Sequence, residues 1–233
     1  GYFIGKNFGN FFRKKKSIIE NLHKSKIVIN TSDNQFVNNV LGNYGRILAE
    51  YPFLKDFRKN KLEQCISIDG IKNLDNIKIN KKPAVFISGH FNNFELMAMQ
   101  IEKHGINLAA IYRPLNNIFL NKTMERIRTK YICRNQIKKG RSGTRQILEN
   151  LKKGNSIALM IDQRVTEGIK IDFFGNLAST TTIPAQILKK YKCDLVPIYI
   201  ERLEKYNFKM YVSQPIVILS LIHISEPTRR LNI

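Results

Sequence analysis

The hydrophobic positions of the chain follow two different patterns, and the change falls near residue 65. Before it, apolar residues recur at helical spacing, most clearly over residues 34–51. From Cys65 onward, short apolar runs of strand length alternate with longer amphipathic segments. The pattern therefore predicts a helical region over 1–64, with a face able to lie on a membrane, and an α/β region over 65–218.

Strands and helices alternate along the second region. The predicted strands are 65–68, 84–88, 108–112, 156–161 and 195–200. The predicted helices are 93–104, 117–130, 144–153 and 183–191. Such alternation is typical of an α/β fold with a mostly parallel central sheet flanked by helices, in which ligands bind at the carboxyl ends of the strands.

The chain is strongly basic, with 39 Lys and Arg against 18 Asp and Glu and a formal charge of +21 over 233 residues. Lys, Asn and Ile are abundant together, as in the product of an AT-rich coding sequence, which explains part of the charge. The rest favours a polyanionic partner: nucleic acid, anionic lipid headgroups or an acidic carrier protein. Nucleic-acid binding is the competing hypothesis, but no zinc-finger spacing, RNP motif or GXXG loop supports it.

Several further features limit the interpretation. The three cysteines form no C-x-x-C pair, which indicates reduced thiols, and no apolar run approaches the roughly 20 residues of a membrane-spanning helix. Because residue 1 is Gly, we expect an upstream segment, with any N-terminal anchor, to be missing. Residues 219–233 look like the translation of a transposase-type sequencing adapter, so we expect a non-native tail there.

Candidate chemistry follows the second predicted strand. Gly89 permits a tight turn, and His90 then stands where α/β sheets bind ligands. On one continuous helix His90 and Glu95 would point about 140° apart, so we expect His90 in the turn and Glu95 in the first helical turn. The carboxylate can then fix the ring tautomer and leave a general base. Alternatively, Asn92 and Glu95 form a capping box and His90 is only a hydrogen-bonded turn residue.

Further motifs follow His90 in order. They are residues 111–117 (IYRPLNN), 151–154 (LKKG), 161–164 (IDQR), 173–175 (FFG) and 180–182 (TTT). Together with HFNNFE at 90–95, their order and spacing resemble the lipid A biosynthesis lauroyl/myristoyl acyltransferase family over roughly residues 10–217. That family is similar in fold and dyad to the glycerolphosphate acyltransferases. Phe94, often Trp in the family, and Asn92, often smaller, depart from the pattern.

The resemblance implies a membrane-associated enzyme at the cytoplasmic face of the inner membrane. It would move a fatty acyl chain from acyl carrier protein to a hydroxyl of a lipid A precursor, with His90 and Glu95 as the catalytic dyad. Four other residues of the motifs would bind the substrates: Arg113, Arg128, Asp162 and Gln163. From the residues alone, each Arg can equally form a surface salt bridge and Asp162 can cap a turn. The alternative acceptor is another phospholipid or glycolipid.

The remaining motifs are predicted to be structural. Residues 173–175 are expected to form a packed loop that shapes the acyl groove, and residues 180–182 to cap the next helix. No H-E-x-x-H motif or second His/Cys cluster is present, and a thioester needs no metal, so neither a metal nor a cofactor is predicted.

Overall fold

The computed structural model describes residues 1–11, 13–115, 117–166 and 168–216, without the side chains of Ile118 and Arg141. The tail predicted at 219–233 therefore lies outside the described residues. No helix within the described part of the chain is long and apolar enough to cross a membrane.

The N-terminal region is helical, as its hydrophobic spacing predicts. It contains α1 (Tyr2–Phe8), α2 (Lys15–Ser25), α3 (Asp33–Glu50) and α4 (Leu54–Arg58), with a 3₁₀ turn at Tyr51–Phe53. The Ser32 hydroxyl accepts a hydrogen bond from the Gln35 N–H at 3.3 Å and so caps the start of α3. The interpretation of residues 34–51 as a helix is confirmed to within one residue at each end.

Glycines let α1 and α3 pack with their backbones in direct contact. A Cβ atom built on Gly5 would lie 2.3 Å from the Leu41 carbonyl oxygen, and one built on Gly45 would lie 2.7 Å from Gly5 Cα. Side chains therefore have no room at this seam. As a result, the large apolar residues of α1, such as Phe3 and Phe8, lie on its exposed side.

The rest of the chain adds nine strands and five helices within the described residues. The strands are β1 (Ile66–Asp69), β2 (Ala84–Ser88), β3 (Leu108–Tyr112), β4 (Asn135–Lys138), β5 (Ser156–Met160), β6 (Ile169–Phe173), β7 (Asn176–Thr180), β8 (Asp194–Arg202) and β9 (Phe208–Val212). The helices are α5 (Ile71–Asn80), α6 (Glu95–Lys103), α7 (Ile118–Ile127), α8 (Arg141–Lys152) and α9 (Ile183–Lys190). A π-helical turn at Arg128–Ile132 extends α7.

Seven of the strands form one sheet in the order β1-β9-β8-β2-β5-β3-β4, and β6 pairs only with β7. Strands β8 and β9 pair antiparallel, and the other neighbours in the sheet pair parallel. The predicted α/β class with a mostly parallel central sheet is thus confirmed. Helix α6 packs on one face of the sheet, while α8 and α9 pack on the other.

The two faces bury separate hydrophobic clusters because neighbouring residues of a strand point to opposite sides. On β2, Phe86 packs in the cluster under α6, and Val85 packs in the cluster under α8 and α9. Because helices pack on both faces of the sheet, side chains can line a cavity mainly at the carboxyl ends of β2, β5 and β3.

The cysteines are buried and free within the described structure. Burial raises the pKa of the Cys133 thiol and that of the Cys193 thiol to about 11 in each case. Both thiols therefore stay protonated near neutral pH and act as small apolar core residues.

We predict that Gly45→Ala loosens α1 from α3, because the added methyl group meets backbone atoms that cannot move aside. Loss of hydrogen-exchange protection in residues 2–8 would report it. Gly42→Ala is the matched control, since a Cβ atom at Gly42 meets the movable ring of Tyr2. Equal protection in both variants would contradict close glycine packing as the cause.

Candidate active site

His90 and Asp162 meet because their strands are neighbours in parallel register. Ser88 at the end of β2 pairs with Met160 at the end of β5, and each polar residue follows its strand end by two positions. His90 Nδ1 lies 2.8 Å from Asp162 Oδ1. The backbone N–H of His90 also donates to Asp162 Oδ2 at 2.8 Å. One carboxylate therefore holds both the ring and the main chain of His90.

Glycine at position 89 leaves space beside the turn at His90. The Phe91 N–H donates to the Gly89 carbonyl at 2.8 Å, which closes a three-residue turn centred on His90. A Cβ atom on Gly89 would lie 3.3 Å from Asp162 Oδ2 and 3.0 Å from the Phe91 ring. The predicted tight turn is present, and the absence of a side chain lets the carboxylate approach it.

The second nitrogen of the ring lies on the substrate side. An ionised Asp162 accepts from Nδ1–H, so this hydrogen bond assigns the neutral ring the tautomer with an unprotonated Nε2. His90 lines the main cavity, and Gln163 Nε2 lies 3.4 Å from His90 Nε2. The Phe94 ring contacts the imidazole edge to face, with centroids 4.8 Å apart. The imidazole is thus held on two sides with a basic nitrogen at the cavity.

Contrary to the prediction, the carboxylate bonded to His90 is that of Asp162 and not that of Glu95. Glu95 Oε1 accepts from Arg128 Nε at 2.8 Å and from Nη2 at 2.6 Å, and also from the Tyr51 hydroxyl. The physical reason is that strand pairing brings Asp162 to the ring while the buried guanidinium engages Glu95. The alternative, a capping box of Asn92 and Glu95, does not form within the described residues either, since α6 begins at Glu95 without a side-chain cap.

The Glu95 cluster is a buried ion pair. Its two charged side chains are only 8% exposed for Glu95 and 12% exposed for Arg128. Burial alone would lower the pKa of Arg128, but the adjacent carboxylate more than offsets it, so the pKa is raised. Burial, followed by the charge of Glu95, raises the pKa of Tyr51. Tyr51 therefore remains a protonated donor and Arg128 a fixed cation.

The last residue of α3 and the first residue of the following 3₁₀ turn both contribute to this region, and no sequence pattern indicates either role. Tyr51 joins the Glu95 cluster, while Glu50 pairs with Arg202 at 2.5 and 3.0 Å. The Asn93 side chain, in the loop that carries His90, donates to Glu50 at 2.8 Å. The helical region predicted as membrane-proximal thus also supports the site loop.

A cavity of about 530 Å³ opens beside His90. Its walls include Glu95, Arg113, Arg128 and Gln163. With Asp162 hydrogen-bonded to the ring, the structure brings all the predicted site residues into one region. Arg113 follows β3 and is exposed, whereas Arg128 is held by Glu95.

The deep part of the cavity is apolar and its mouth is basic. One row of side chains crosses four neighbouring strands in register and lines the cavity: Phe86, Ala158, Ala110 and Gln136. The two alanines in the middle of this row leave space beneath Ala98 of α6, which also lines the cavity. Lys138 and Lys139 line it near Arg113. The cavity can accept an apolar chain attached to an anionic group.

The last two motifs have different outcomes. Residues 173–175 lie at the exposed tip of the β6–β7 hairpin and do not line the cavity, so the predicted packed loop is wrong. Thr182 directly precedes α9, but its side chain caps no backbone N–H and instead accepts from Gln186 Nε2 at 2.9 Å. The Thr181 hydroxyl accepts from the N–H of Ile183, the first residue of α9, at 3.3 Å.

Comparison with known proteins assigns the chain to a family. No curated protein sequence is significantly similar to it. A family model described as bacterial lipid A biosynthesis acyltransferase matches residues 3–232, a range that includes every site residue described above. The match covers nearly the whole chain, so the protein belongs to the bacterial lipid A biosynthesis acyltransferase family, whose members are acyltransferases of lipid A and lipopolysaccharide biosynthesis.

Proposed function

We propose that the protein is a membrane-associated O-acyltransferase at the cytoplasmic face of the inner membrane. It transfers a fatty acyl chain from acyl carrier protein to a hydroxyl of a lipid A precursor. The observation that carries the proposal is the His90–Asp162 pair beside a cavity with an apolar interior and a basic mouth. A phospholipid or another glycolipid is the alternative acceptor.

His90 acts as the general base. The acceptor hydroxyl gives its proton to Nε2 while its oxygen attacks the thioester carbonyl, and Asp162 stabilises the resulting imidazolium through Nδ1–H. When the tetrahedral intermediate collapses, the carbon–sulfur bond breaks and His90 returns the proton to the departing thiolate. The ester and the free thiol are formed without net consumption of a proton.

Arg128 binds a negatively charged oxygen of the substrates, either a phosphate or the developing oxyanion. Its Nε and Nη2 donate to Glu95 and Tyr51, and no hydrogen bond among the described residues engages Nη1. Glu95 contributes to the reaction by holding this guanidinium in place. A cation held by a buried carboxylate needs little reorganisation when charge develops, which is the condition for effective electrostatic catalysis.

The alanine row holds the acyl chain. Ala158 and Ala110 lie between Phe86 and Gln136, so an apolar slot runs along the sheet under α6. Burying methylene groups there is favourable by about 0.8 kcal/mol each. The size of the side chains in this row therefore sets the length of acyl chain that fits.

The basic mouth fits an acidic donor. Arg113, Lys138 and Lys139 line the same cavity as His90, so positive charge surrounds the point where a donor must deliver its thioester. An acidic carrier protein and the phosphates of a lipid A precursor both match this charge. Basic residues placed at the catalytic cavity favour these partners over nucleic acid.

The direct test is transfer from acyl carrier proteins of different chain lengths to a tetra-acylated lipid A precursor, followed by mass spectrometry. We expect a penta-acylated product. A parallel reaction with lysophospholipid distinguishes the alternative acceptor. Hydrolysis of the donor without transfer to either acceptor would refute the proposal.

We predict that Asp162→Asn lowers kcat by about 10²–10⁴-fold, because the amide no longer fixes the basic tautomer or stabilises the imidazolium. His90→Ala should lose at least as much. Asp194→Asn, a change of the same type at the opposite end of the sheet, should keep normal turnover. If Asp162→Asn is active while Glu95→Gln is inactive, Glu95 and not Asp162 is the partner of His90 in the reaction.

We predict that Glu95→Ala lowers the free energy of unfolding by about 3–5 kcal/mol, because it leaves the Arg128 charge buried without a partner. Urea denaturation measures this loss. His90→Ala should change stability by only about 1 kcal/mol, since the ring is partly exposed. A Glu95→Ala protein as stable as the parent would show that the ion pair does not hold Arg128.

We predict that Ala158→Leu shifts the enzyme toward shorter acyl donors, because the larger side chain fills the slot. The kcat/KM for the longest accepted donor should fall about ten-fold or more relative to a donor two carbons shorter. Ala185→Leu on α9 makes the same change at a residue that does not line the cavity and should leave the preference unchanged. An unaltered preference in Ala158→Leu would place the acyl chain elsewhere.

A further inference from the structure

The β6–β7 hairpin carries an apolar face that is open to solvent. Ile169, Ile171 and Phe173 alternate along β6 and so share one face, and they are 56%, 39% and 62% exposed. Across the ladder they pair with Thr180, Ala178 and Asn176. In most proteins another element packs on such a face. An isolated two-stranded hairpin is only marginally stable, and three large apolar side chains in water lower its stability further.

The tip of the hairpin adds a strained aromatic residue. Phe174 and Gly175 form the two-residue loop and have φ values of +54° and +71°, as in a type I′ turn. Asn or Gly is favoured at the first of these positions, and a bulky residue with positive φ is disfavoured. The Phe174 ring is 49% exposed, so burial does not repay this strain. Strain kept at an exposed tip points to a function for the aromatic side chain.

The end of α2 brings one lysine side chain to the aromatic tip. The Asn176 side chain donates to the backbone carbonyl of Lys24 at 3.2 Å, and a Cβ atom on Gly175 would lie 3.8 Å from Lys26 Nζ. Lys170 lies on the polar face of β6 beside Asp172, whose carboxylate accepts from the Gly175 N–H at 3.0 Å. Exposed aromatic rings next to lysines are the combination that binds the interface of an anionic bilayer.

The hairpin rises from the edge of the catalytic cavity. Val165, shortly before β6, and Thr181, directly after β7, both line that cavity. At the base of the hairpin the Ser179 hydroxyl donates to the Val165 carbonyl at 2.8 Å. A membrane that binds the tip of the hairpin therefore lies next to the opening of the cavity, where a lipid acceptor has to enter.

We propose that the β6–β7 hairpin inserts Phe173 and Phe174 into the headgroup region of an anionic bilayer and so seats the cavity on the membrane. Lys26 at the tip and Lys170 on β6 hold it there through the lipid charge. This placement deepens the proposed function, since it assumes that the acceptor is taken from the bilayer. Binding of the hairpin to vesicles is nevertheless measurable without any acyl transfer.

The sharpest variant is Phe174→Asn, because Asn suits the type I′ turn and removes the apolar ring. We expect its partitioning onto phosphatidylglycerol-containing vesicles to fall about ten-fold in a flotation assay, while its thermal stability stays equal or rises. Ile79→Asn, at an exposed apolar residue of α5, is the matched control and should bind like the parent. Lys26→Gln should lower binding about five-fold to anionic vesicles and little to pure phosphatidylcholine vesicles.

Different outcomes separate this proposal from the proposed function. Vesicle binding that depends on Phe174 in a protein with no transferase activity would refute the enzymatic proposal and support the hairpin. Acyl transfer by the parent protein, with vesicle binding unchanged in Phe174→Asn, would support the enzymatic proposal and refute insertion of the hairpin. Concentration-dependent dimers that Phe174→Asn abolishes, without an effect on vesicle binding, would assign the face to a second copy of the chain and overturn the membrane assignment.

Discussion

The site depends on one carboxylate, that of Asp162, which accepts from both the ring and the backbone N–H of His90. Two neighbouring parallel strands end at the same level, so the residues that follow them meet without a long loop. Gly89 keeps the space between them clear. Because the carboxylate fixes the main chain as well as the imidazole, the direction of Nε2 is set by the sheet and not by a flexible loop.

A second buried interaction connects the helical region to this arrangement. Tyr51 contacts the Glu95–Arg128 pair, and Glu50 holds Arg202 and the Asn93 side chain. Buried charges are costly without their partners, so the end of α3 cannot leave the sheet without exposing unpaired groups. The change of hydrophobic pattern near residue 65 therefore marks a change of secondary structure but not a boundary between a site and its support.

Local patterns predicted the parts of the fold that bury a strong apolar run or stripe, such as β2, β3 and α6. They missed α5 and four strands, β4, β6, β7 and β9. β6 (IKIDF) and β9 (FKMYV) alternate apolar and polar residues over only five positions, and β4 (NQIK) has a single apolar residue, so none of them contains a long apolar run. The partner of His90 was missed for a different reason. Glu95 is near in sequence, whereas Asp162 is brought close only by the order of strands in the sheet, which no local pattern encodes. The family motifs located six residues that meet at the cavity, but they indicated neither the pairing of His90 with Asp162 nor the contributions of Glu50 and Tyr51.

The two carboxylates differ in exposure, and this difference fits two different tasks. The side chain of Asp162 is 43% exposed and that of Glu95 is 8% exposed. A general base changes its charge in every turnover, and a partner near water can follow that change without a large desolvation cost. Glu95 faces a guanidinium whose charge does not change, so the desolvation cost of the buried pair arises once, on folding, and does not recur in each turnover. If Glu95 were the partner of His90, the imidazole would gain and lose its charge in the buried environment of Glu95. Each proton transfer would then carry the cost of forming a charge away from water.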